Sequence, residues 1–280
     1  MKFTKMHGIG NDYIYFNCLE KEIENPEELS IKLSDRHFGV GGDGIVLILP
    51  SDKADFRMRM FNADGSEGKM CGNATRCIGK YVYEKGITNK REITLETLSG
   101  IKTLKLSVNE ENKVESVEVN MGEAILKASE IPVKSDKEKV INERIKIAGL
   151  EYNITCVSMG NPHCVVYMDE IDDLDLEKLG PKFENDSIFP ERVNTEFIKV
   201  IDENTLKMRV WERGSGETWA CGTGACAAVV SSVLNGYCKY DTPIKIKLLG
   251  GELSIKFMKN GLVYMSGPAE FVFEGSIENE

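Results

Sequence analysis

The chain has 280 residues, of which 41% are hydrophobic and 29% charged, the balance of a soluble globular protein with one or two domains. Its net charge is −10 and it has no long basic stretch, which argues against nucleic acid or an anionic membrane as partner. The apolar runs are too short to span a bilayer, and the opening MKFTKMHGIGNDY lacks the apolar core of a signal peptide. We therefore expect a cytoplasmic protein.

The cysteine content argues against a disulfide or zinc framework. Eight cysteines in a chain without an export signal are expected to be reduced. Five residues separate Cys71 from Cys77 and four separate Cys221 from Cys226, while the chain has no CxxC motif and only three histidines. These spacings do not match a zinc site, so we expect no metal.

The predicted elements are mostly short strands. Asn25 and Pro26 predict a helix start, with Asn25 as the cap. Residues 57–61 and 207–211 have the alternating long side chains of strands. Further strands are predicted at Ile45–Leu49, Glu92–Thr97, Lys102–Val108, Lys113–Val119, Thr155–Ser158, His163–Met168, Thr195–Val200, Lys245–Leu249, Glu252–Phe257 and Leu262–Ser266. Polar stretches near 135–139 and 169–177 are predicted as loops or short helices.

A helical pattern follows each of two Cys-Gly pairs. Apolar residues recur at helical spacing after Cys71 and again after Cys221. Gly86 and Gly236 suit the C-terminal caps of these two helices. The second helix is apolar on most sides, which is typical of a central helix wrapped by other elements.

The two cysteine turns belong to an internal repeat with an offset of 150 residues. At this offset, five of the sixteen columns from 57–72 are identical to 207–222, where composition alone predicts about one. Glycines at turns match at the same offset. Coincidence between two glycine-rich loops is the alternative, but the clustering around the cysteines favours a tandem duplication.

The sequence therefore predicts an α/β (α+β) fold of two similar, duplicated domains. Each is expected to be a strand-rich, barrel-like sheet around a central helix, with the active site in the cleft between the domains. The first half is placed at 1–118, completed by a C-terminal strand within 262–280, and the second half at 119–261.

A Cys-Gly pair at a helix start can have a chemical role. The helix dipole is expected to stabilise a thiolate there and lower the pKa of the thiol. The first N–H groups of the helix can bind a carboxylate, and glycine permits a close approach. A single turn of this kind is more often structural than catalytic, because cysteine readily serves as a small buried side chain.

Duplication favours the catalytic interpretation. Two equivalent thiols on opposite sides of one carbon could remove a proton from one face and deliver a proton to the other, which inverts a stereocentre. A redox disulfide and a metal site are competing uses of two facing thiols, but neither explains the paired glycine-rich turns.

The chain resembles the diaminopimelate epimerase family, which epimerises its substrate with two thiols and no cofactor. The similarity covers nearly the whole chain and includes, in the family's order, MKFTKMHGIGNDY, FNADGSEGKMCGNATRC, SMGNPHCVV, FPERVNTEF and VWERGSGETWACGTGACAA. Proline and hydroxyproline racemases share the two-cysteine plan, but these motifs together indicate the epimerase family.

The resemblance implies a set of site residues. Cys71 and Cys221 would be the acid/base pair, with His163 and Glu212 influencing catalysis. The residues implied in binding a small diaminodicarboxylate substrate are Asn11, Asn62, Gly72, Asn73, Asn161, Asn194, Glu212, Arg213, Gly222 and Thr223. Such a substrate suits a bidentate arginine, amides that donate and accept, and a carboxylate that binds ammonium.

Structural interpretations of some of these residues remain open. Asn11 also suits a turn, His163 a hydrogen-bonded core position, and Glu212 with Arg213 a surface pair. At Gly44 the chain departs from the family, many members of which carry a substrate-contacting glutamine there. No side-chain contact can be made from that position.

Three further functions stay open beside the epimerase. One is a proline- or hydroxyproline-type racemase, the second is a thiol redox protein that cycles through a Cys71–Cys221 disulfide, and the third is a small-molecule binding protein without activity. A homodimer is compatible with the sequence, although no residue argues for it.

Overall fold

The computed structural model describes residues 1–278 and separates into two compact units. We call Met1–Asn120 together with the chain from Ser266 onward the N-terminal unit, and Met121–Met265 the C-terminal unit. The N-terminal unit is therefore built from two separate stretches of the sequence.

Strands outnumber helices in both halves of the chain. From the N-terminus to residue 123 the elements are β1 (Lys2–Gly8), β2 (Asn11–Asn17), α1 (Pro26–Ser34), β3 (Gly44–Leu49), β4 (Phe56–Asn62), β5 (Glu67–Gly68), α2 (Gly72–Glu84), β6 (Glu92–Thr97), β7 (Gly100–Val108) and β8 (Val114–Glu123). After residue 123 they are β9 (Glu143–Ile147), β10 (Leu150–Ser158), β11 (Pro162–Tyr167), α3 (Leu176–Glu184), β12 (Asn194–Asp202), β13 (Thr205–Glu212), β14 (Gly216–Thr218), α4 (Gly222–Leu234), β15 (Ile244–Leu248), β16 (Gly251–Phe257), β17 (Leu262–Gly267) and β18 (Glu270–Ser276).

In the N-terminal unit the strands form one mixed sheet. β1 pairs antiparallel with both β2 and β18, and β2 pairs parallel with β3. β3 then pairs antiparallel with β4, which pairs antiparallel with β5 and parallel with β6. β7 is antiparallel to both β6 and β8.

In the C-terminal unit the pairing follows the same order. β10 is antiparallel to β9 and β11, and β11 is parallel to β12. β12 is antiparallel to β13, which pairs antiparallel with β14 and parallel with β15. The predicted strand-rich α/β fold with duplicated domains is confirmed.

Two of the identities in the repeat are explained by one ion pair that occurs in each unit. Arg59 on β4 donates from Nε to Glu67 Oε1 on β5 at 2.7 Å. Arg209 on β13 makes the same contact with Glu217 on β14 at 2.8 Å. In both units a hairpin thus leads the chain from a core strand into the cysteine turn.

The two predicted helices are the buried centres of their units. Residues 72–82 of α2 and 224–233 of α4 are all buried. Both helices end as predicted, before glycines with left-handed backbone: φ is 70° at Gly86 and 79° at Gly236. Within residues 1–278, no helix is both long and apolar enough to cross a membrane.

Every predicted strand overlaps an observed one, but several strands were not predicted. No strand was predicted at β1, β2, β5, β9 or β14, nor with the bounds of β18. The inner positions of β1 and β2 are buried on both faces, so they lack the alternation that marks a strand. The predicted cap of α1 is wrong. Asn25 has a left-handed φ of 51° and its side chain makes no capping hydrogen bond.

Candidate functional site

Each predicted cysteine turn places its sulfur at the N-cap of the central helix. Cys71 and Cys221 have extended backbone, with φ of −129° and −111°. The Sγ of Cys71 accepts the N–H of Ala74 at 3.5 Å, and the Sγ of Cys221 accepts that of Gly224 at 3.3 Å. Sulfur thus occupies the place that a serine or aspartate oxygen takes in most helix caps.

The first turns of α2 and α4 can also bind an anion. Gly72 and Gly222 are the first residues of these helices, and no carbonyl of the helix itself can accept a first-turn N–H. The positive end of the helix dipole adds to their attraction for a carboxylate.

In the N-terminal unit Asn11 links the thiol to a carboxylate. The Cys71 thiol donates to Asn11 Oδ1 at 3.3 Å, and Asn73 Nδ2 donates to the same oxygen at 3.2 Å. Asn11 Nδ2 donates to Asp43 Oδ2 at 2.7 Å. Because an ionised carboxylate only accepts, Asp43 fixes the amide so that its oxygen faces the thiol.

Asp43 belongs to a cluster of charges that the sequence did not predict. Arg36 donates to Asp12 at 2.7 Å and to Asp43 at 3.1 Å. Burial raises the pKa of the Asp43 carboxyl, and the neighbouring charge of Asp12 raises it further.

The Asn62 side chain hydrogen-bonds within its own turn. Its Nδ2 donates to Ser66 Oγ at 3.0 Å, in the turn after β4. Its strand partner is Gly44, whose φ is +153° and where an added Cβ would lie 2.0 Å from the carbonyl oxygen of Phe61. This backbone admits only glycine, which explains in physical terms why the chain lacks a glutamine there.

In the C-terminal unit the Cys221 thiol lies beside two carboxylates. It is 4% exposed and hydrogen-bonds to Glu212. Burial raises its pKa well above the usual value, and the charges of Glu212 and Glu196 add to this, outweighing the hydrogen bonds from Thr223 and Gly224. The expectation of a lowered pKa at the helix start is wrong for Cys221. Burial also raises the pKa of Glu212.

His163 and Asn161 continue this group. His163 Nδ1 lies 2.7 Å from Glu196 Oε1, and Nε2 lies 3.0 Å from Asn161 Oδ1. Asn161 Nδ2 donates to Thr223 Oγ1 at 3.3 Å, and that oxygen is 3.5 Å from Cys221 Sγ. The sequence did not single out Glu196, although it lies within the motif FPERVNTEF, two residues after Asn194.

Asn194 and Arg213 form a neighbouring pair held by backbone contacts. Asn194 Oδ1 accepts the N–H of Arg213 at 2.9 Å, and its Nδ2 donates to the carbonyl of Pro162 at 2.8 Å. The Arg213 guanidinium donates to the carbonyl of Glu191 at 2.8 Å. Further N–H groups of the guanidinium remain to bind a ligand.

Hydrogen bonds link Asn11 and Asn73 to the Cys71 group, and His163, Asn161, Thr223 and Glu212 to the Cys221 group. Asn62, Asn194 and Arg213 hydrogen-bond to other groups, although Asn194 pairs with His163 on the neighbouring strand. The described residues contain no group of three or more His, Cys, Asp and Glu side chains placed to hold a metal ion.

Comparison with known structures identifies the fold. A probable proline racemase from Agrobacterium radiobacter K84 matches with a TM-score of 0.74 and 14% sequence identity, over 100% of this chain and 93% of that one. The chain therefore has the fold of this racemase, and at such low identity the likeness concerns the fold alone.

Sequence relatives identify the family. The diaminopimelate epimerase family model matches residues 3–127 and 155–272. A diaminopimelate epimerase of Acetivibrio thermocellus is 59% identical over 279 residues, which is 99% of both chains. One of Methanococcus maripaludis is 58% identical over 279 residues, 99% of this chain and all of the relative. The chain belongs to the diaminopimelate epimerase family, and these relatives do not support the racemase or the redox protein as alternatives.

Proposed function

We propose that this chain is an isomerase that interconverts LL-2,6-diaminopimelate and meso-2,6-diaminopimelate without a cofactor, in the synthesis of L-lysine and of peptidoglycan precursors. The observation that carries the proposal is the repeated cysteine turn, in which Cys71 and Cys221 each cap a buried central helix. Membership of the family supports this substrate over other amino acids.

The reaction needs one group that removes the α-proton and one that returns a proton to the opposite face. A thiolate takes the proton and becomes a thiol, and the electron pair left on the carbon spreads into the α-carboxylate. The second thiol then protonates the carbon and becomes the thiolate. Protons and charge balance, so the step needs no oxidant or external acid. We assign these roles to Cys71 and Cys221, which exchange them when the reaction runs backwards.

The first helical turns supply the stabilisation of charge. The carboxylate gains enolate-like charge as the proton leaves, and preorganised N–H groups are most effective where charge develops. We assign this role to the backbone of Gly72, Asn73, Gly222 and Thr223.

We assign to Glu212 the control of the protonation of Cys221. It hydrogen-bonds to the thiol, and burial raises its own pKa, which makes it a stronger base than an exposed glutamate. His163 is proposed to orient groups around this thiol through its contact with Asn161.

Amides and one arginine are proposed to bind the rest of the substrate. The guanidinium of Arg213 can hold a carboxylate with two parallel N–H groups. The carboxylate of Glu212 suits an ammonium group as well. The amides assigned to substrate binding are Asn11, Asn62, Asn161 and Asn194.

The experiment is hydrogen exchange in deuterated water. The purified chain, with no added cofactor, is expected to place solvent deuterium at the α-carbon of diaminopimelate while it interconverts the LL and meso forms. Cys71→Ala and Cys221→Ala should each lower the epimerisation rate by about 100-fold or more. NMR follows the α-proton, and chiral chromatography follows the isomers.

The matched control is Cys238→Ala, which removes a buried thiol outside the two turns and should retain activity. Full epimerisation by Cys71→Ala would overturn the two-thiol assignment. Turnover of proline without turnover of diaminopimelate would support a racemase instead.

Two finer proposals concern the state of the enzyme. A homodimer is supported by β18, where Val272 and Phe273 are each about half exposed although apolar. A sedimentation mass equal to one chain would contradict it. A reducing cytoplasm is proposed from the eight cysteines, whose number and spacing do not suit a disulfide framework. Fractionation of cells that express the chain tests this location.

A further inference from the structure

Glu196 is a fully buried carboxylate to which neither the sequence nor the family resemblance gave a role. It lies on β12 with 0% exposure, and His163, its partner, is equally buried. The second oxygen, Oε2, has no hydrogen-bond partner within residues 1–278. Removing a carboxylate from water costs several kcal/mol when it is poorly compensated. Such a position is unfavourable for folding alone and therefore suggests a function.

The hydrogen bonds of Glu196 lead to the proposed acid/base thiol. The chain of contacts runs from Glu196 Oε1 to His163 Nδ1, from His163 Nε2 to Asn161 Oδ1, and from Asn161 Nδ2 to Thr223 Oγ1. Thr223 Oγ1 is then 3.5 Å from Cys221 Sγ. Four side-chain contacts therefore join the carboxylate to the sulfur.

The carboxylate sets the direction of this chain. Glu196 can only accept when ionised, so His163 Nδ1 carries a proton that faces it. Asn161 Oδ1 can only accept, so Nε2 also carries a proton, and His163 is then an imidazolium ion opposite the Glu196 carboxylate. This arrangement turns Asn161 Nδ2 towards Thr223. The hydroxyl of Thr223 accepts from Asn161, and its own proton is then free to point at the sulfur of Cys221. A hydroxyl donor stabilises the thiolate form of Cys221 and so opposes the direct effect of the Glu196 charge, which disfavours it.

A second contact places Glu196 against the first turn of α4. An added Cβ on Gly224 would lie 2.6 Å from Glu196 Oε1 and 3.1 Å from Cys221 Sγ. Only a glycine at this position lets the carboxylate approach the turn that holds the thiol.

The N-terminal unit supports this interpretation independently. Asn11 is the repeat equivalent of Asn161, and Asp43 holds its amide at 2.7 Å. The position equivalent to His163 is Tyr13, so here the carboxylate contacts the asparagine directly. Each unit therefore has a carboxylate that fixes an asparagine amide, Asp43 by direct contact with Asn11 and Glu196 through His163 to Asn161.

We propose that Glu196 is a positioning residue of the epimerisation, which acts through His163 to orient Asn161 and Thr223 towards Cys221. The proposal rests on the proposed function. It adds a residue whose effect is on the alignment of the site and not on contact with the substrate.

The test compares Glu196→Gln with the wild-type chain. Glutamine keeps the size of the side chain but loses the charge that fixes the imidazole. We expect kcat to fall about 10- to 100-fold, the loss of one hydrogen bond to a charged group, with a smaller change in KM. Nitrogen-15 NMR of the imidazoles, in a chain with only three histidines, should show a changed proton distribution on His163.

Glu84→Gln is the matched control. Its side chain is 7% exposed and it accepts from the N–H of Val114, but it lies at the far end of α2. This variant is expected to lose stability while it keeps kcat and the histidine spectrum of the wild-type chain.

The outcomes separate the two proposals. A wild-type chain that does not epimerise diaminopimelate refutes the proposed function and this inference with it. An active wild type together with a Glu196→Gln variant of unchanged kcat and unchanged His163 resonances refutes the inference alone. Equal losses of kcat in Glu196→Gln and Glu84→Gln assign the effect to stability and also refute it.

Discussion

At the scale of single residues, the two cysteines share a backbone setting but differ in their electrostatics. Cys71 is partly exposed and donates to an uncharged amide oxygen on Asn11. Cys221 is buried beside the carboxylates Glu212 and Glu196. In the ligand-free chain the protonated form of Cys221 is therefore favoured, because burial and nearby negative charge both disfavour a thiolate.

This leads to a prediction about the pH dependence of alkylation. Iodoacetamide reacts with the thiolate, so a raised pKa moves the reaction of Cys221 to higher pH. Glu212→Gln removes one negative charge and replaces one carboxylate oxygen by an NH2 group that can donate to a thiolate, and both changes lower the pKa of Cys221. We expect its alkylation rate at pH 8 to rise about 5- to 10-fold, the effect of one nearby charge. Peptide mass spectrometry measures the rate, with Cys71 in the same sample as the reference.

Glu217→Gln is the control for this prediction. The Glu217 carboxylate is bound to Arg209, so its replacement should leave the alkylation rate of Cys221 unchanged. A slower reaction of Cys221 in Glu212→Gln would contradict the prediction. It would show that Glu212 assists deprotonation more than its charge opposes it.

The sequence allowed some of these residues to be predicted and not others. Cys71 and Cys221 were found because the repeat marks both and because glycine follows each. Asp43 and Glu196 were missed because their importance arises from long-range contacts: Asp43 Oδ2 reaches Asn11 over 32 positions, and Glu196 reaches His163 over 33. Local spacing contains no signal for such contacts.

At the scale of elements, α3 packs against β13 through a glycine. An added Cβ on Gly180 would lie 2.1 Å from Trp211 Cδ2. The indole has little room to move, because its Nε1 donates to Glu184 Oε2 at 2.7 Å in a buried bond. The flat face of Trp211 therefore requires that α3 have no side chain at this point.

We predict that Gly180→Ala lowers the free energy of unfolding by about 2 kcal/mol, as expected for overpacking. An alanine before Pro181 also fits a helical backbone less well than glycine. On an exposed helix the same change would instead stabilise by about 0.5–1 kcal/mol. Urea unfolding followed by circular dichroism measures the difference.

Gly79→Ala on α2 is the matched control. Its added Cβ would meet the Leu106 and Leu104 methyl groups at 3.0 and 3.1 Å, and these flexible side chains can yield. We expect a change within about 1 kcal/mol. An equal loss in the two variants would show that rigidity of the indole does not decide the outcome.

The elements also show how far the sequence predicts this fold. Helices α2 and α4 have apolar residues at helical spacing and end before glycines, and both were predicted. The central strands were predicted because apolar residues dominate them. The bounds of β18 were not, since Glu270–Ser276 leaves most of its side chains exposed and joins its sheet by pairing with β1. The pairing of a strand with a partner far away in the sequence leaves no signal in the local pattern of apolar and polar residues.

At the scale of the whole molecule, the last strand of the chain, β18, belongs to the sheet of the N-terminal unit. The ladder of β18 with β1 runs from Lys2 opposite Ser276 to His7 opposite Glu270. The rings of Phe3 and Phe273 meet edge to face with centroids 6.0 Å apart. A chain that ends after β8 therefore leaves β1 without this neighbour and exposes Phe3.

We predict that residues 1–123 alone do not unfold cooperatively. A rearranged chain, in which a short glycine-serine linker joins residues 266–278 to the start of residues 1–123, is expected to unfold cooperatively. The rearrangement is feasible because the N–H of Ile277 donates to the carbonyl of Met1 at 2.8 Å, so the two ends already lie side by side. The physical reason is that β18 restores a complete ladder and covers Phe3, which a small unit needs for a cooperative core.

Urea titration followed by circular dichroism and by tyrosine fluorescence tests for coincident transitions. The same rearranged chain with Phe273→Ser keeps the length and should lose part of the gain. Identical unfolding of the short and the rearranged chains would contradict the prediction, because the ladder with β1 would then contribute nothing to the stability of the N-terminal unit.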